Sequence, residues 1–399
     1  MRYCGKTFCP IYARAEAMFK VKNLLQKEDF MSSSPAPFVG RFGYPEVSAG
    51  ILAPPEVRED AWMYDAPGFW SSQDFGINEI VALRSALINS SFKINVRKTS
   101  KFLEISQEIG MASKPVDLEV KLDRKPEFRL SFKPEVAPMG PNARLESVSI
   151  TSNPKISQKV DKVVDDTHLK AGDAVFYLYK SGFDENFLSK LLSVGTLGLK
   201  FKRRLVPTRY SITAIDDLLG KELIKKIKAY NESDYTIYFG GYLGNYFLIM
   251  FFPRPWSYEL FETYLPMAGW NISDQIRYST DHEFYDGRKD YAEQCGGGYY
   301  ANRLPILEKL EELKRQGTVL TLRFISGEYF VPLGVFVVRE ATRKALSSKP
   351  LSFSSMELML KYAKALINKR FNYDLELLLQ QSKLIKLIKT QSRLTDFSA

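Results

Sequence analysis

Apolar residues recur at helical spacing in several long stretches of the chain. Within each stretch the apolar positions stand three or four residues apart with charged residues between them, which is the spacing of an amphipathic helix. The stretches predicted to be helical are 211–230, 296–317, 354–371 and 374–391. The last of them leads directly into the final nine residues of the chain.

Other stretches have the pattern of strands. Residues 236–252 hold two aromatic-rich runs around Gly240–Gly244 and predict a β-hairpin. Residues 77–95 predict a helix followed by a strand-like segment. Residues 31–58 place Gly or Pro every few positions and predict an ordered loop or a series of tight turns. Further strands are predicted at 145–153, 318–326 and 329–340.

Helices and strands do not alternate regularly, so the predicted fold class is α+β. We expect mixed sheets with amphipathic helices, ending in a helical C-terminal segment and a short flexible tail. Because the pattern changes near residue 280, we predict an N-terminal region of residues 1–280, a C-terminal region of residues 281–390 and a tail of residues 391–399.

The pattern gives no sign of membrane insertion or secretion. The longest purely apolar run worth naming, Tyr246–Phe252, has seven residues, whereas a membrane-spanning helix needs about 20. The N-terminus lacks the continuous apolar run of a signal peptide. Three cysteines in 399 residues do not make a disulfide framework. The sequence therefore predicts a cytoplasmic protein without a membrane partner.

Charge points to anionic partners. The 56 Lys and Arg residues exceed the 46 Asp and Glu residues, which gives a net charge of +10 and favours nucleic acid, with DNA as the expected partner. Two segments that precede helices are predicted to bind phosphate, although caps and tight turns are the simpler alternative for each. The predicted phosphate-binding residues are Lys202, Arg203, Arg204 and Arg209 in the first segment and Gly296, Gly297, Gly298 and Arg303 in the second. The aromatic residues predicted to be exposed and able to stack on bases are Phe42, Tyr44, Trp62, Trp70 and Trp256.

The cysteines suggest a metal site. Cys4 and Cys9 are separated by four residues, within the spacing that zinc ligands use. Cys295 and His282 would complete a set of three cysteines and one histidine and would tie a small knuckle at residues 4–9 to the segment 282–295. The predicted cofactor is zinc, and the alternative is three thiols that bind no metal.

The last nine residues, QSRLTDFSA, carry an interaction motif. Gln391, Leu394 and Phe397 stand three apart, so in one turn of 3₁₀-helix Leu394 and Phe397 project from one side. This spacing resembles the motif by which archaeal and eukaryotic proteins bind the DNA sliding clamp, PCNA. The alternative is the frayed end of an amphipathic helix.

Seven segments, taken in order, resemble the archaeal Nre family of DNA repair proteins. They are CGKTFCP at Cys4–Pro10, VGRFGYPEVSAG at Val39–Gly50, LVPTRYSITAIDD at Leu205–Asp217, CGGGYYANRLPILE at Cys295–Glu308, GVFVVRE at Gly334–Glu340, FSSMELML at Phe353–Leu360, and the terminal QSRLTDF. The resemblance spans essentially the whole chain. It implies a cytoplasmic archaeal protein of the DNA damage response, with an N-terminal region of the Nre type, that binds the sliding clamp through its tail. It assigns no catalytic residue.

Two functions are therefore predicted. The first is a DNA repair protein recruited to DNA by the sliding clamp. The alternative is an enzyme acting on nucleic acid or a nucleotide, with a site formed by segments 205–217 and 281–303. Arg209 and Asp216 would belong to that site, together with the charged cluster Asp281, His282, Glu283, Asp286 and Arg288.

Overall fold

Two six-stranded sheets organise the chain, and each has its own hydrophobic core. The computed structural model describes residues 27–127, 140–266, 268, 271 and 273–391. The chain divides into two compact units. Unit one comprises the residues up to Leu219 together with Val331–Leu333, and unit two comprises Gly220–Phe330 and the residues from Gly334 onward. The predicted α+β class is confirmed.

The first sheet has the strand order β1-β5-β6-β4-β3-β2, with β4 and β6 parallel and the other neighbours antiparallel. Its strands are β1 (Asp29–Ser34), β2 (Ala36–Val39), β3 (Glu46–Ala53), β4 (Ile88–Asn95), β5 (Val116–Leu122) and β6 (Asn142–Ile150). Residues 31–58 therefore contain strands, and the prediction of tight turns alone was wrong. Small residues such as Ser33 and Ala49 occupy buried strand positions here, and they carry little apolar signal.

The described residues of unit one also form six helices and the first part of a seventh. They are α1 (Pro67–Ser72), α2 (Ile77–Ser85), α3 (Lys101–Met111), α4 (Gln158–Asp165), α5 (Ala171–Lys180), α6 (Glu185–Ser193) and α7 (Thr208–Ile227). The core joins Val47, Leu118 and Val120 of the sheet to Leu103 and Ile109 of α3. The division between the units falls inside α7, between Leu219 and Gly220.

The second sheet has the order β11-β10-β13-β9-β8-β14, with β10 and β13 parallel. Its strands are β8 (Tyr235–Tyr242), β9 (Asn245–Phe252), β10 (Ser257–Tyr264), β11 (Arg277–Glu283), β13 (Thr318–Ile325) and β14 (Leu351–Phe353). A separate parallel pair consists of β7 (Asn231–Glu232) and β12 (Arg315–Gln316). The β8–β9 hairpin predicted at 236–252 is present. The predicted boundary at residue 280 lies within β11, so it does not coincide with the division between the compact units.

In its described residues, unit two contains the last part of α7 and five further helices. They are α8 (Gly297–Leu313), α9 (Phe336–Leu346), α10 (Met356–Phe371), α11 (Glu376–Leu379) and α12 (Lys383–Thr390). The segment 329–340 was predicted to be a strand, but it enters α9, whose first seven residues are all buried. A helix buried on every side shows no 3.6-residue period, so its apolar residues resemble those of a buried strand.

Candidate nucleic-acid interface

The predicted basic segment surrounds a cavity in unit one. The cavity has a volume of about 280 Å³, and Lys202 and Arg204 line it. Lys170, which precedes α5, adds a third cation from outside the segment. The remaining lining residues are mostly apolar: Ala171, Leu192, Leu197, Gly198, Leu199 and Val206. The lining of the cavity is therefore mostly apolar, and its three cationic residues are exposed.

Backbone hydrogen bonds fix the course of the segment that lines the cavity. The Leu205 amide donates to the Val96 carbonyl at 2.9 Å, and the Val206 amide donates to the Ser193 carbonyl at 2.9 Å. Leu205 is buried in the core of the first sheet. Its neighbours Arg204 and Val206 line the cavity, because successive side chains of an extended chain point to opposite sides.

Arg203 has a different role from its neighbours. Its guanidinium donates to the carbonyl oxygens of Gly198 at 2.7 Å and Asp166 at 3.0 Å. Burial lowers the pKa of Arg203 below its ordinary value, and the nearby carboxylates of Asp165 and Asp166 act in the opposite direction. Arg203 therefore fastens the loop before the cavity, whereas Lys202 and Arg204 present their charges at the cavity.

The start of α5 contributes to the same cavity. In the described part of the chain, no side chain caps its first amides, and Lys170 occupies the N-cap position. Gly198 packs against this turn with φ of +99°, and a Cβ there would lie 3.3 Å from the Cβ of Ala171. The amides at a helix start carry partial positive charge, which adds to the charge of the three cations and favours an anion.

Exposed side chains continue from the cavity along the segment. Phe201 is 81% exposed, and the Lys202 ammonium lies 5.7 Å from the centre of its ring. Arg209 is exposed in the first turn of α7. Among the aromatic residues predicted to be exposed, Phe42, Tyr44 and Trp62 are so, but Trp70 and Trp256 are fully buried. Those two predictions were wrong, because a tryptophan in a segment rich in Pro, Gly and Ser can still be a core residue.

In the second predicted phosphate-binding segment, carboxylates of the protein itself face the start of α8 and pair with Arg303. A Cβ on Gly298 would lie 2.6 Å from a carboxylate oxygen of Glu262, so an acid already faces the start of α8. The Arg303 side chain is buried, and its guanidinium donates to Glu283 at 2.7 Å. Gly296 has φ of +53° and lets the chain turn into α8. This geometry supports a structural role for the triple glycine and for Arg303.

Two acids of the charged cluster predicted near residues 281–288, Asp281 and Glu283, are paired with arginines. Asp281 accepts from the Cys295 amide at 2.7 Å and forms an ion pair with Arg288 at 3.1 Å. Glu283 accepts from the Trp256 indole at 3.2 Å in addition to Arg303. This cluster belongs to unit two, whereas segment 205–217 belongs to unit one.

Two of the four predicted zinc ligands lie in the described part of the chain. Cys295 is buried, and its sulfur lies 3.7 Å from the Ser279 hydroxyl. Burial raises the pKa of the Cys295 thiol, and the charge of Glu262 adds to this. His282 packs edge-to-face on Phe284. Cys295 contacts Ser279 and Asp281, and an even-numbered residue such as His282 lies on the opposite face of β11.

Cys4 and Cys9 lie outside the described residues, so the predicted four-ligand site stays a prediction. Among the described residues there is no group of three or more Cys, His, Asp or Glu side chains that could hold a metal ion. No helix in that part of the chain is long and apolar enough to cross a membrane.

The helix that precedes the tail is held at both ends. At its start, the buried Glu259 carboxylate accepts from the Lys383 amide at 2.9 Å and the Leu384 amide at 3.1 Å. At its end, the Arg254 guanidinium donates to the Ile388 carbonyl at 3.3 Å and the Gln391 carbonyl at 3.1 Å. Gln391 is exposed and directly follows α12. Leu394 and Phe397 lie outside the described residues.

Family models match nearly the whole chain in two parts. The model for the archaeal Nre N-terminal region matches residues 3–271, and the model for the archaeal Nre C-terminal region matches residues 283–397. No solved structure matches the chain.

Curated relatives agree with the family models. DNA repair protein NreB of Archaeoglobus fulgidus is 36% identical over 384 residues, which is 96% of this chain and 94% of that protein. DNA repair protein NreA of the same organism is 38% identical over 358 residues, or 89% of this chain and 88% of that protein. DNA repair protein NreA of Haloferax volcanii is 37% identical over 325 residues, or 79% and 77% of the two chains. The chain belongs to the archaeal Nre family.

Some residues of the candidate interface were missed by sequence reasoning. Lys170 stands 30 positions before the basic run, and only the packing of α5 against Gly198 brings it to the cavity. Glu259 and Arg254 lie in the second sheet and its preceding turn, far in sequence from the helix that they hold. An acid within an otherwise aromatic and apolar strand, as in SYELFETY, is the one signal that could have indicated Glu259.

Proposed function

We propose that this protein acts in DNA repair, contacts DNA phosphates through the basic segment, and is recruited to DNA by the sliding clamp through its tail. The exposed cations Lys170, Lys202 and Arg204 around one cavity carry the proposal of DNA contact. The names of the relatives support the role in DNA repair, since each is a DNA repair protein. The spacing of Gln391, Leu394 and Phe397 supports the recruitment.

The DNA contact is tested by removing two exposed charges that line the cavity. Lys202→Ala together with Arg204→Ala should weaken binding to a labelled DNA and reduce the salt dependence of the affinity. Each lost phosphate contact lowers the slope of log K against log salt concentration by about 0.7–0.9, so the pair should lower it by about 1.5. Fluorescence anisotropy over a series of salt concentrations measures both quantities.

A matched control removes the same charge elsewhere. Lys361 and Lys369 are exposed on α10 in unit two, and Lys361→Ala with Lys369→Ala should leave the salt slope unchanged. If both double variants change the slope equally, the attraction comes from the net charge of +10 and not from the cavity.

The clamp contact rests on two apolar anchors and their support. The spacing of Leu394 and Phe397 would place both on one side of a 3₁₀ turn on docking, and a few buried anchors of this kind carry most of the energy of a small interface. The helix before them is fastened by Glu259 and Arg254, so the tail starts from a fixed point of unit two. A fixed starting point lowers the conformational entropy that docking must remove.

Calorimetry with purified clamp tests this recruitment. Burying one large apolar side chain stabilises a complex by about 1.5–3 kcal/mol, so Leu394→Ala with Phe397→Ala should weaken binding by about two orders of magnitude or more. Gln391→Ala should cost less, because one neutral hydrogen bond contributes about 1 kcal/mol. Ser398→Ala is the matched control and should bind normally. Equal affinity of the Leu394/Phe397 double variant and the unaltered protein would contradict the recruitment.

The enzyme alternative receives less support from the geometry. It requires reactive groups in 281–303, but Asp281 and Glu283 are already paired with Arg288 and Arg303. The accessory role uses the exposed groups of the basic segment and the tail, and we therefore favour it.

A further inference from the structure

The tip of the β2–β3 hairpin presents aromatic rings on the surface of unit one. The hairpin tip, Gly40–Pro45, connects the two strands and holds Phe42, which is 75% exposed, and Tyr44, which is 58% exposed. The Arg41 guanidinium lies 4.7 Å from the centre of the Phe42 ring. Large apolar rings this exposed have no role in the protein's own core, so their exposure calls for a partner.

The backbone of the hairpin tip is tightly fixed. Gly43 has φ of +85°, and a Cβ there would lie 2.6 Å from the Glu46 carbonyl oxygen, so only glycine fits this turn. The Gly40 amide donates to the Ser48 carbonyl at 2.7 Å, and the Glu46 amide donates to the Gly43 carbonyl at 2.9 Å. The two rings are therefore carried by a defined turn.

Hydrogen bonds join the hairpin tip to two other loops. The Val39 amide donates to the Thr208 hydroxyl at 2.9 Å, which places the start of α7 beside the hairpin. The Val96 amide donates to the Pro45 carbonyl at 3.0 Å, and the Val96 carbonyl accepts from Leu205. The segment after β4 thus lies between the hairpin tip and the basic segment.

The joined loops also carry exposed cations and a third exposed ring. Tyr210, in the first turn of α7, is 54% exposed. Glu46 is also exposed at the base of the hairpin, and its carboxylate accepts from the Asn95 amide at 2.6 Å. The exposed cations of the three loops are Arg41, Arg97, Lys98 and Arg209. We call this set of loops the aromatic surface.

We propose that the aromatic surface binds single-stranded DNA by stacking Phe42 and Tyr44 on unpaired bases. The proposal rests on the DNA contact proposed above and adds the form of DNA that is recognised. Rings next to cations suit an unpaired strand, because its bases stack on the rings while its phosphates meet the cations. Paired bases within a duplex are already stacked on each other and do not offer their faces to a side chain.

Charge complementarity favours DNA over a protein or a lipid surface. Four exposed cations lie on the same loops as the three rings, and the carboxylate of Glu46 is held by Asn95. The rings also sit on a short turn. Insertion into lipid typically uses the apolar face of an amphipathic helix instead.

The test compares single-stranded and duplex DNA of equal length. Fluorescence anisotropy measures binding to a labelled 20-nucleotide oligo(dT) and to a labelled 20-base-pair duplex. Phe42→Ala with Tyr44→Ala should weaken binding to the single strand by about tenfold or more, since stacking of one base on an aromatic ring already accounts for roughly a fivefold change. Binding to the duplex should change by less than about twofold. The salt slope should stay the same for both DNAs, because no charge is removed.

Controls separate stacking from misfolding. Phe42→Tyr keeps a ring and should bind as the unaltered protein does, and the melting temperature of the double alanine variant should be unchanged because both side chains are exposed. Tyr285→Ala removes a ring of similar exposure, 47%, from unit two and should have no effect.

The outcomes distinguish this proposal from the DNA contact on which it rests. If the unaltered protein binds neither DNA, both proposals fail. If Lys202→Ala with Arg204→Ala weakens binding but the loss of Phe42 and Tyr44 does not, the stacking proposal alone fails. Equal losses on the single strand and the duplex, or binding of the rings to anionic vesicles instead of oligo(dT), would also overturn it.

Discussion

At the scale of the residue, one carboxylate links pH to stability. Glu311 on α8 accepts from the Tyr230 hydroxyl at 2.8 Å, from Lys314 at 2.7 Å and from Lys226. Burial alone would raise the pKa of Glu311, but these three hydrogen bonds outweigh it and lower the pKa from 4.5 to about 2. A lowered carboxylate pKa means that the folded protein favours the ionised form.

The lowered pKa of Glu311 determines how its contribution to stability changes with pH. The stabilisation from Glu311 is fully present above pH 4.5 and is lost as the pH falls towards about 2. Glu311→Gln should lower the free energy of unfolding by about 2 kcal/mol at pH 7, which is typical for hydrogen bonds to a charged group. The difference between variant and unaltered protein should shrink between pH 5 and pH 3 in urea unfolding monitored by circular dichroism.

Glu312→Gln is the control for this measurement. Its side chain is 66% exposed and pairs with Lys309 within the same helix, so its effect should stay below about 0.5 kcal/mol. A difference for Glu311→Gln that stays constant from pH 7 to pH 3 would show that the carboxylate charge is not what stabilises α8.

At the scale of the element, helices with an amphipathic pattern were predicted correctly, whereas a helix buried on all sides was predicted to be a strand. Helices α7, α8 and α10 and the β8–β9 hairpin stand where their periods placed them. In α9, residues 336–342 are all buried, so its Val and Phe residues indicated a strand. The aromatic-rich run AVFYLYK, which fits a strand or a helix, forms α5.

The candidate interface likewise contains residues that the sequence predicted and residues that it could not predict. Runs of charge are visible in a sequence, so the basic segment with Lys202 and Arg204 was predicted. Partners supplied by tertiary packing are not visible. The sequence does not reveal that Arg203 binds backbone carbonyls, that Arg303 is buried against Glu283, or that Lys170 joins the cavity. Each of these depends on contacts between separate elements.

Helix α12 shows how the two kinds of information combine. Its spacing is visible in KLIKLIKT, with Leu384, Ile385 and Ile388 buried and the lysines exposed. Its ends are fixed by residues more than 100 positions earlier in the chain, because Glu259 binds its first amides and Arg254 its last carbonyls. An acid at the start of a helix and a cation at its end both oppose the helix dipole favourably.

At the scale of the whole molecule, the two proposed attachments lie in different compact units. The cavity and the aromatic surface belong to unit one, and the tail follows α12 of unit two. Each attachment uses its own residues, so each should act independently on its isolated partner. Deleting residues 391–399 should change the affinity for free DNA by less than about twofold. Lys202→Ala with Arg204→Ala should likewise leave the affinity for the free clamp unchanged.

The two attachments should reinforce each other on a clamp that encircles DNA. Once the tail binds the clamp, DNA contact becomes intramolecular, and such coupling can raise the overall affinity by roughly 10²–10⁴-fold without any new contact. Loss of either attachment should therefore shorten the residence time on clamp-loaded DNA by more than about tenfold. Single-molecule imaging on clamp-loaded DNA with blocked ends measures this residence time. If the tail deletion shortens residence but the Lys202/Arg204 variant does not, the tail alone holds the protein, and DNA contact has no part in its recruitment.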